Sequence, residues 1–183
     1  MLATLIQALY FFLPAYAANA APVLLARYEI WEFLNAPVDF NRKLGGFSLF
    51  GKTKTWRGII GGVLAGMAMV TVQALIHTYM PQREYLYLIP YPLFGIVWLG
   101  FLMGLGEGLG DLAKSFVKRR LRLKSGAAIF PLDQSSFLLA LFFSFIYHVP
   151  SFGHILAIVI ISPFIPVVAN IIAYKAGWKK VWW

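Results

Sequence analysis

Five stretches of this chain are apolar for long enough to read as membrane helices, and its polar residues gather almost entirely between them. A bilayer core roughly 30 Å thick is crossed by about 20 helical residues, so each run can be set against that length. The pattern predicts helices over residues 2–26, 58–79, 86–112, 132–149 and 152–174. Only Gln7 and Asn19 interrupt the first. The third opens with Pro90 and Pro92, which a helix tolerates near its start. The fourth has only 13 apolar residues, 137–149. It reaches full length only by extending back to residue 132, which draws Asp133 toward the hydrocarbon boundary. Pro163 and Pro166 lie inside the fifth, where a kink is expected. The expected architecture is an all-α integral membrane protein: a bundle of five transmembrane helices in a single domain, residues 1–183.

Composition supports lipid as the solvent, since 60% of the residues are hydrophobic and 13% are charged. Charge adds an orientation. Six Lys and Arg lie between residues 27 and 57, six between 114 and 124, three between 175 and 180, and only Arg83 falls on the other side. The positive-inside rule then places the N-terminus outside and the C-terminus in the cytoplasm, with two basic cytoplasmic loops, in the cell membrane. Ala15-Tyr16-Ala17 has the form of a signal-peptidase site, but no Lys or Arg precedes Arg27, so the first helix is expected to remain. The chain has no cysteine, which excludes disulfides and thiolate chemistry.

The basic loops also hold carboxylates, and these point to chemistry. Glu107, Asp111, Lys114 and Lys118 follow one another at i, i+4, i+7 and i+11, on one helical face. Ionisable groups at membrane depth are expensive and face polar cavities. Asp111 and Asp133 are placed to face each other, and two carboxylates beside many Lys and Arg suit Mg²⁺ with a polyphosphate. Phosphoryl or nucleotidyl transfer follows, because such reactions need positioning and charge neutralisation more than a covalent nucleophile.

Residues 46–53, GFSLFGKT, satisfy the Walker A pattern. A P-loop needs a supporting parallel sheet, for which two flanking membrane helices leave no room. Gly58, Gly62 and Gly66, and likewise Gly100, Gly104 and Gly108, form strips for close helix packing. His77, His148 and His154 fall near the outer face and lack the spacing of a zinc site.

The run Gly110-Asp111-Leu112-Ala113-Lys114-Ser115-Phe116-Val117-Lys118-Arg119-Arg120 resembles the CTP-dependent cytidylyltransferases of phospholipid synthesis, whose signature S-x-x-K-R-x-x-x-x-K is met by Ser115, Lys118, Arg119 and Lys124. Within that superfamily the chain is more similar to archaeal CDP-archaeol synthase. Residues 19–22, 50–58, 132–134 and 170–175 carry this resemblance. It implies that CTP and an unsaturated archaetidic acid, an isoprenoid ether lipid phosphate, give CDP-archaeol and pyrophosphate with Mg²⁺. It also implies roles: Asp111 and Asp133 for the metal, with Lys118 and Arg119 catalytic beside them. Lys54, Arg57, Arg120 and the same Lys118 and Arg119 fall to the phosphates, Thr55 and Lys114 to substrate binding, and Asn19, Ser115, Asn170 and Lys175 to cytidine, phosphate or lipid head group.

The bacterial signature continues with Asp after its second Lys and later carries His-Gly-Gly, whereas Ser125 follows Lys124 here and no such element occurs. A CDP-diacylglycerol synthase is therefore the alternative. Relatives tend to carry a second acid where this chain has Ser136, which leaves metal number open with Glu107 as a replacement. A transporter for phosphate-bearing compounds is the reading from another class. It fits less well, because the charge concentrates at one interface and no inverted repeat is visible. Membrane lipids are expected partners; nucleic acid and an obligate protein partner are not.

Overall fold

The computed structural model describes residues 1–80, 84–92, 95–123, 129 and 131–178. Within them run α1 (Leu2–Arg27), α2 (Trp56–Tyr79), α3 (Val97–Arg120), α4 (Phe137–Ser144), α5 (Phe152–Ile161) and α6 (Phe164–Lys175). Three stretches are long and apolar enough to cross a membrane: α1, α2 and the Phe152–Lys175 span that α5 and α6 share. Arg83, Lys124, Ser125, Lys179 and Lys180, used above for orientation and signature, lie outside the described residues.

Glycine sets how closely these helices approach. A Cβ on Gly62 would lie 3.0 Å from the Ala18 carbonyl oxygen of α1. A Cβ on Gly66 would lie 2.7 Å from the Gly100 carbonyl, and one on Gly104 2.7 Å from the Val63 Cα. The pairing runs in opposite senses along each partner, so α1, α2 and α3 are successive antiparallel neighbours in backbone contact, as the small-residue strips predict. Gly106 and Gly110 extend the same device to α4, where a Cβ would meet the backbone of Ala140 and Ser136. The basic ends of α1, α2 and α3 therefore meet at one end of the bundle.

Proline shapes the apolar interior. Pro14 and Pro22 sit inside α1 without ending it. Pro14 has no N–H for the carbonyl four residues earlier, Tyr10, and that oxygen instead accepts from Gln73 Nε2 of α2 at 2.5 Å. At Pro163 the expected kink becomes a break between α5 and α6. Ser162 in that break is fully buried, and its hydroxyl lies 2.8 Å from the Tyr16 hydroxyl of α1.

Two expected helices differ in extent. The third, expected over 86–112, is Val97–Arg120. Pro90 and Pro92 keep the preceding segment out of the helix, and that segment packs Ile89 and Tyr91 into the core. Its far end continues because Lys114 and Lys118 have partners across the site. The fourth, expected over 132–149, is α4 alone, about 12 Å long, preceded by the 3₁₀ turn Leu132–Gln134. The Asp133 carbonyl in that turn accepts from Lys114 Nζ at 3.1 Å.

The α1–α2 loop holds the one sheet among the described residues, a hairpin of β1 (Lys43–Leu44) and β2 (Phe47–Ser48). The Walker-like run thus spans a hairpin strand and a turn, with no parallel sheet beneath it. Arg120, at the end of α3, holds this hairpin by donating to the carbonyls of Leu44 and Ser48, both at 2.8 Å.

The glycine contacts make a differential prediction. Gly100→Val and Gly110→Val should each destabilise the detergent-solubilised protein by about 1–3 kcal/mol through overpacking against backbone. Gly108→Ala meets Ile59 only at 3.7 Å and should be neutral or stabilising, a contrast read from melting temperatures.

Candidate active site

A cavity of about 840 Å³ opens where the basic ends of α1, α2 and α3 meet the Leu132–Gln134 turn and α6. The acid-acid-base-base face of α3 lines it with Glu107, Asp111, Lys114 and Lys118. Asp133 lines the facing wall, so the two aspartates share one cavity. Lys54, Thr55 and Arg57 enter from the loop and the start of α2, Asn19 from α1 and Asn170 from α6.

Its charges are interleaved. Asp111 Oδ2 accepts from Lys54 Nζ at 2.5 Å, and Oδ1 lies 3.1 Å from Lys114 Nζ. Lys118 Nζ donates to Asp133 Oδ1 at 2.6 Å, and the Ile129 amide donates to Oδ2 at 2.7 Å. Lysines this little exposed need carboxylate partners, and each aspartate in turn is neutralised. Arg57 is buried and pairs with Glu32 of the loop.

Glu107 is buried deeper, and its Oε1 accepts from Asn19 Nδ2 and from Ser136 Oγ, each at 2.5 Å. Asn19, Glu107, Gln134 and Asn170 also line a second cavity of about 280 Å³, whose remaining wall is mostly apolar, Phe137, Ile165 and Ile172 among it. A larger chamber that carries the lysines and carboxylates and a smaller, almost wholly apolar one thus share a wall of hydrogen-bonding side chains.

The loop that delivers Lys54 is fixed from within. Thr55 caps α2, its hydroxyl accepting from the Gly58 amide at 3.3 Å. Backbone bonds run from Val38 to Lys54 at 2.8 Å and from Trp56 to Ala36 at 3.0 Å. Asp39, buried, accepts from the amides of Asn41 and Phe50, both at 2.9 Å, and of Gly51 at 3.2 Å. Burial alone would raise its carboxyl; the three amides outweigh it and hold the group below the ordinary aspartate value. Gly51, at φ +96°, turns the chain there beside Arg119.

Not every residue expected at the site lines it. Arg119 lies against Gly51, and Arg120 is engaged with the hairpin carbonyls. Ser115 is buried on α3 and Lys175 exposed at the end of α6, neither on the cavity wall. Conversely, Lys52 and Gln134 line the cavity, while Glu32 and Asp39 organise it from outside. Of the histidines, His77 packs edge-on against Tyr87, and His154 bridges Ser151 and Gln7.

The model of the CarS-like CDP-archaeol synthase family matches residues 1–183. The chain is 40% identical to the CDP-archaeol synthase of Pyrococcus horikoshii, covering 98% of this chain and 97% of that one. It is 35% identical to that of Pyrococcus furiosus, over 98% of both, and 36% identical to that of Methanococcus maripaludis, over 100% and 99%. It is also similar to a solved structure described as an intramembrane enzyme for archaeal membrane lipids biosynthesis. That similarity has a TM-score of 0.68 and 30% identity, covering 91% of this chain and 94% of that one.

Asp39 gives the site a pH dependence with a definite sign. A depressed carboxyl stabilises the loop above its ordinary value of 3.8 and loses that contribution as pH falls through the lower value in the fold. Hydrogen exchange at Phe50 and Gly51, corrected for intrinsic rate, should show protection at neutral pH that disappears on acidification. Asp39→Ala should lower that protection at neutral pH, by about 1–3 kcal/mol of local opening free energy, with the difference from the wild type vanishing in acid.

Proposed function

This chain belongs to the CDP-archaeol synthase family and is a cytidylyltransferase that makes CDP-archaeol; we propose that it does so in the cavity around Asp111 and Asp133, from CTP and an unsaturated archaetidic acid. The supporting observation is the shared wall. Lysines and carboxylates cluster on the wall of one chamber, suited to a triphosphate, and an apolar chamber adjoins it at Asn19, Glu107 and Asn170, suited to isoprenoid chains. An oxygen of the lipid phosphate attacks the α-phosphorus of CTP, forming a new P–O bond while the α–β bridging bond breaks and pyrophosphate leaves.

Lys54, Lys114 and Lys118 exchange part of their carboxylate contacts for phosphate oxygens, drawing two anions together. Arg57, held by Glu32, adds a planar guanidinium at the chamber wall. Asn19 and Asn170 orient the head groups where the chambers meet. Arg119 and Arg120 act through the loop that they brace.

The donor set fits Mg²⁺. Asp111 and Asp133 offer hard oxygen ligands on one cavity, and among the described residues no cluster of three acids or histidines could hold an ion alone. Substrate phosphates would complete the shell, as is usual for Mg²⁺ at nucleotide sites. Bound there, the ion would neutralise triphosphate charge and favour departure of pyrophosphate. The concentration of basic residues supports five crossings, an outer N-terminus and a site facing the cytoplasm, in the cell membrane.

Purified protein given CTP, Mg²⁺ and archaetidic acid should release pyrophosphate and form CDP-archaeol. Asp111→Asn and Asp133→Asn should each lower turnover by at least about a hundredfold, with the helical content by circular dichroism retained even though loss of the ion pairs lowers the melting temperature. Robust turnover in both variants would overturn the assignment. Preferential use of diacylglycerol phosphate would replace the lipid assignment, while omission of Mg²⁺ without effect would remove the metal.

A further inference from the structure

The loop between α1 and α2 exposes more large apolar side chains than a loop in water should carry. Phe33 is 80% exposed and Phe40 63% exposed, with Tyr28, Ile30 and Leu44 exposed beside them in sequence. Isolated exposed apolar residues are ordinary, but so many in one short loop mark a contact surface. The loop begins where the membrane-spanning α1 ends at Arg27, so this surface continues from the lipid-facing side of α1, where Leu24 is exposed.

Phe40, and the partly exposed Trp31 next to Ile30, are placed at the expense of backbone strain. Trp31 has φ +55° and Phe40 φ +47°, left-handed conformations in which bulky side chains are rare. Such residues cost of order 1–3 kcal/mol each and persist where the surroundings enforce them. Here Asp39 binds the amides of Asn41, Phe50 and Gly51, and Glu32, next to Trp31, binds Arg57. Exposed Arg42 and Lys43 accompany the aromatics, supplying cations of the kind that meet acidic head groups.

We propose that residues 28–47 form a membrane-seated lip: the aromatic and aliphatic side chains lie in the head-group layer beside α1, and Arg42 and Lys43 bind anionic lipid phosphates there. Tyr28 and Trp31 suit that layer, where amphipathic rings concentrate. The lip also supports the cavity. Its Glu32 holds Arg57, and its Asp39 and Ala36 hold the chain on either side of Lys54. Seating of the lip on anionic membrane therefore positions the cations at the chamber entrance. That last consequence rests on the cavity being the active site; the seating itself does not.

The absence of native cysteine allows a direct test. Single variants Phe33→Cys and Phe40→Cys carry an environment-sensitive dye and are reconstituted in neutral vesicles or in vesicles containing anionic phosphatidylglycerol. The expected result is quenching by nitroxide lipids labelled near the head group, protection from aqueous iodide, and a larger effect with anionic lipid. Equal iodide quenching in both membranes, matching the free dye, would overturn the proposal. So would protection that appears only at high protein density, which would mark an interface between copies of the chain. In a second arm, Arg42→Ser with Lys43→Ser should abolish the added effect of anionic lipid; an unchanged anionic effect would remove the head-group role. The depth measurement does not depend on turnover, so failure of the proposed reaction and failure of the lip are distinguishable.

Discussion

The carboxylate of Asp111 joins parts of the chain that otherwise have little reason to meet. One oxygen takes Lys54 from the loop, and the other lies beside Lys114, which reaches on to the Asp133 carbonyl and to Ser136 at the start of α4. In water each contact would be worth little, but with these side chains mostly shielded from solvent an unpaired ammonium or carboxylate is costly.

The same arrangement suits catalysis on two anions. Charges that neutralise one another in the resting site can be redistributed when phosphates arrive, without moving a helix. The rigidity comes from elsewhere: glycine-mediated backbone contacts hold α1 to α4, and small residues cannot collapse further, so the chamber keeps its width. Stability and site geometry are thus separated, the first in the glycine strips and the second in the polar end.

Much of this was legible in the sequence because helical periodicity is strict. Once 107–118 was read as helix, Glu107, Asp111, Lys114 and Lys118 had to share a face, and the cavity uses all four. The proline break at Pro163 and the glycine strips followed from equally local rules. The extents of the third and fourth helices did not, because the run at residues 86–96 is apolar enough for helix while Pro90 and Pro92 remove the needed donors. Partners far apart in sequence were also hidden. Nothing near Glu32 announces Arg57, and nothing near Asp39 announces the amides eleven and twelve positions later. Arg119 and Arg120, next to the matching Lys118, were assigned from the motif, whereas side-chain direction turns them toward the loop.

The bond from Gln73 to the Tyr10 carbonyl has a mechanical consequence. It exists because Pro14 leaves that oxygen without its helical donor, so α1 and α2 are pinned at one definite register deep in the apolar region. Asn19 lies nine residues further along α1, about 14 Å of helix, at the level of Glu107. The pin acts as a depth gauge: sliding α1 by one turn would move Asn19 about 5.4 Å and part it from Glu107. A missing amide hydrogen near the far end of the bundle thereby fixes the height at which the two chambers meet.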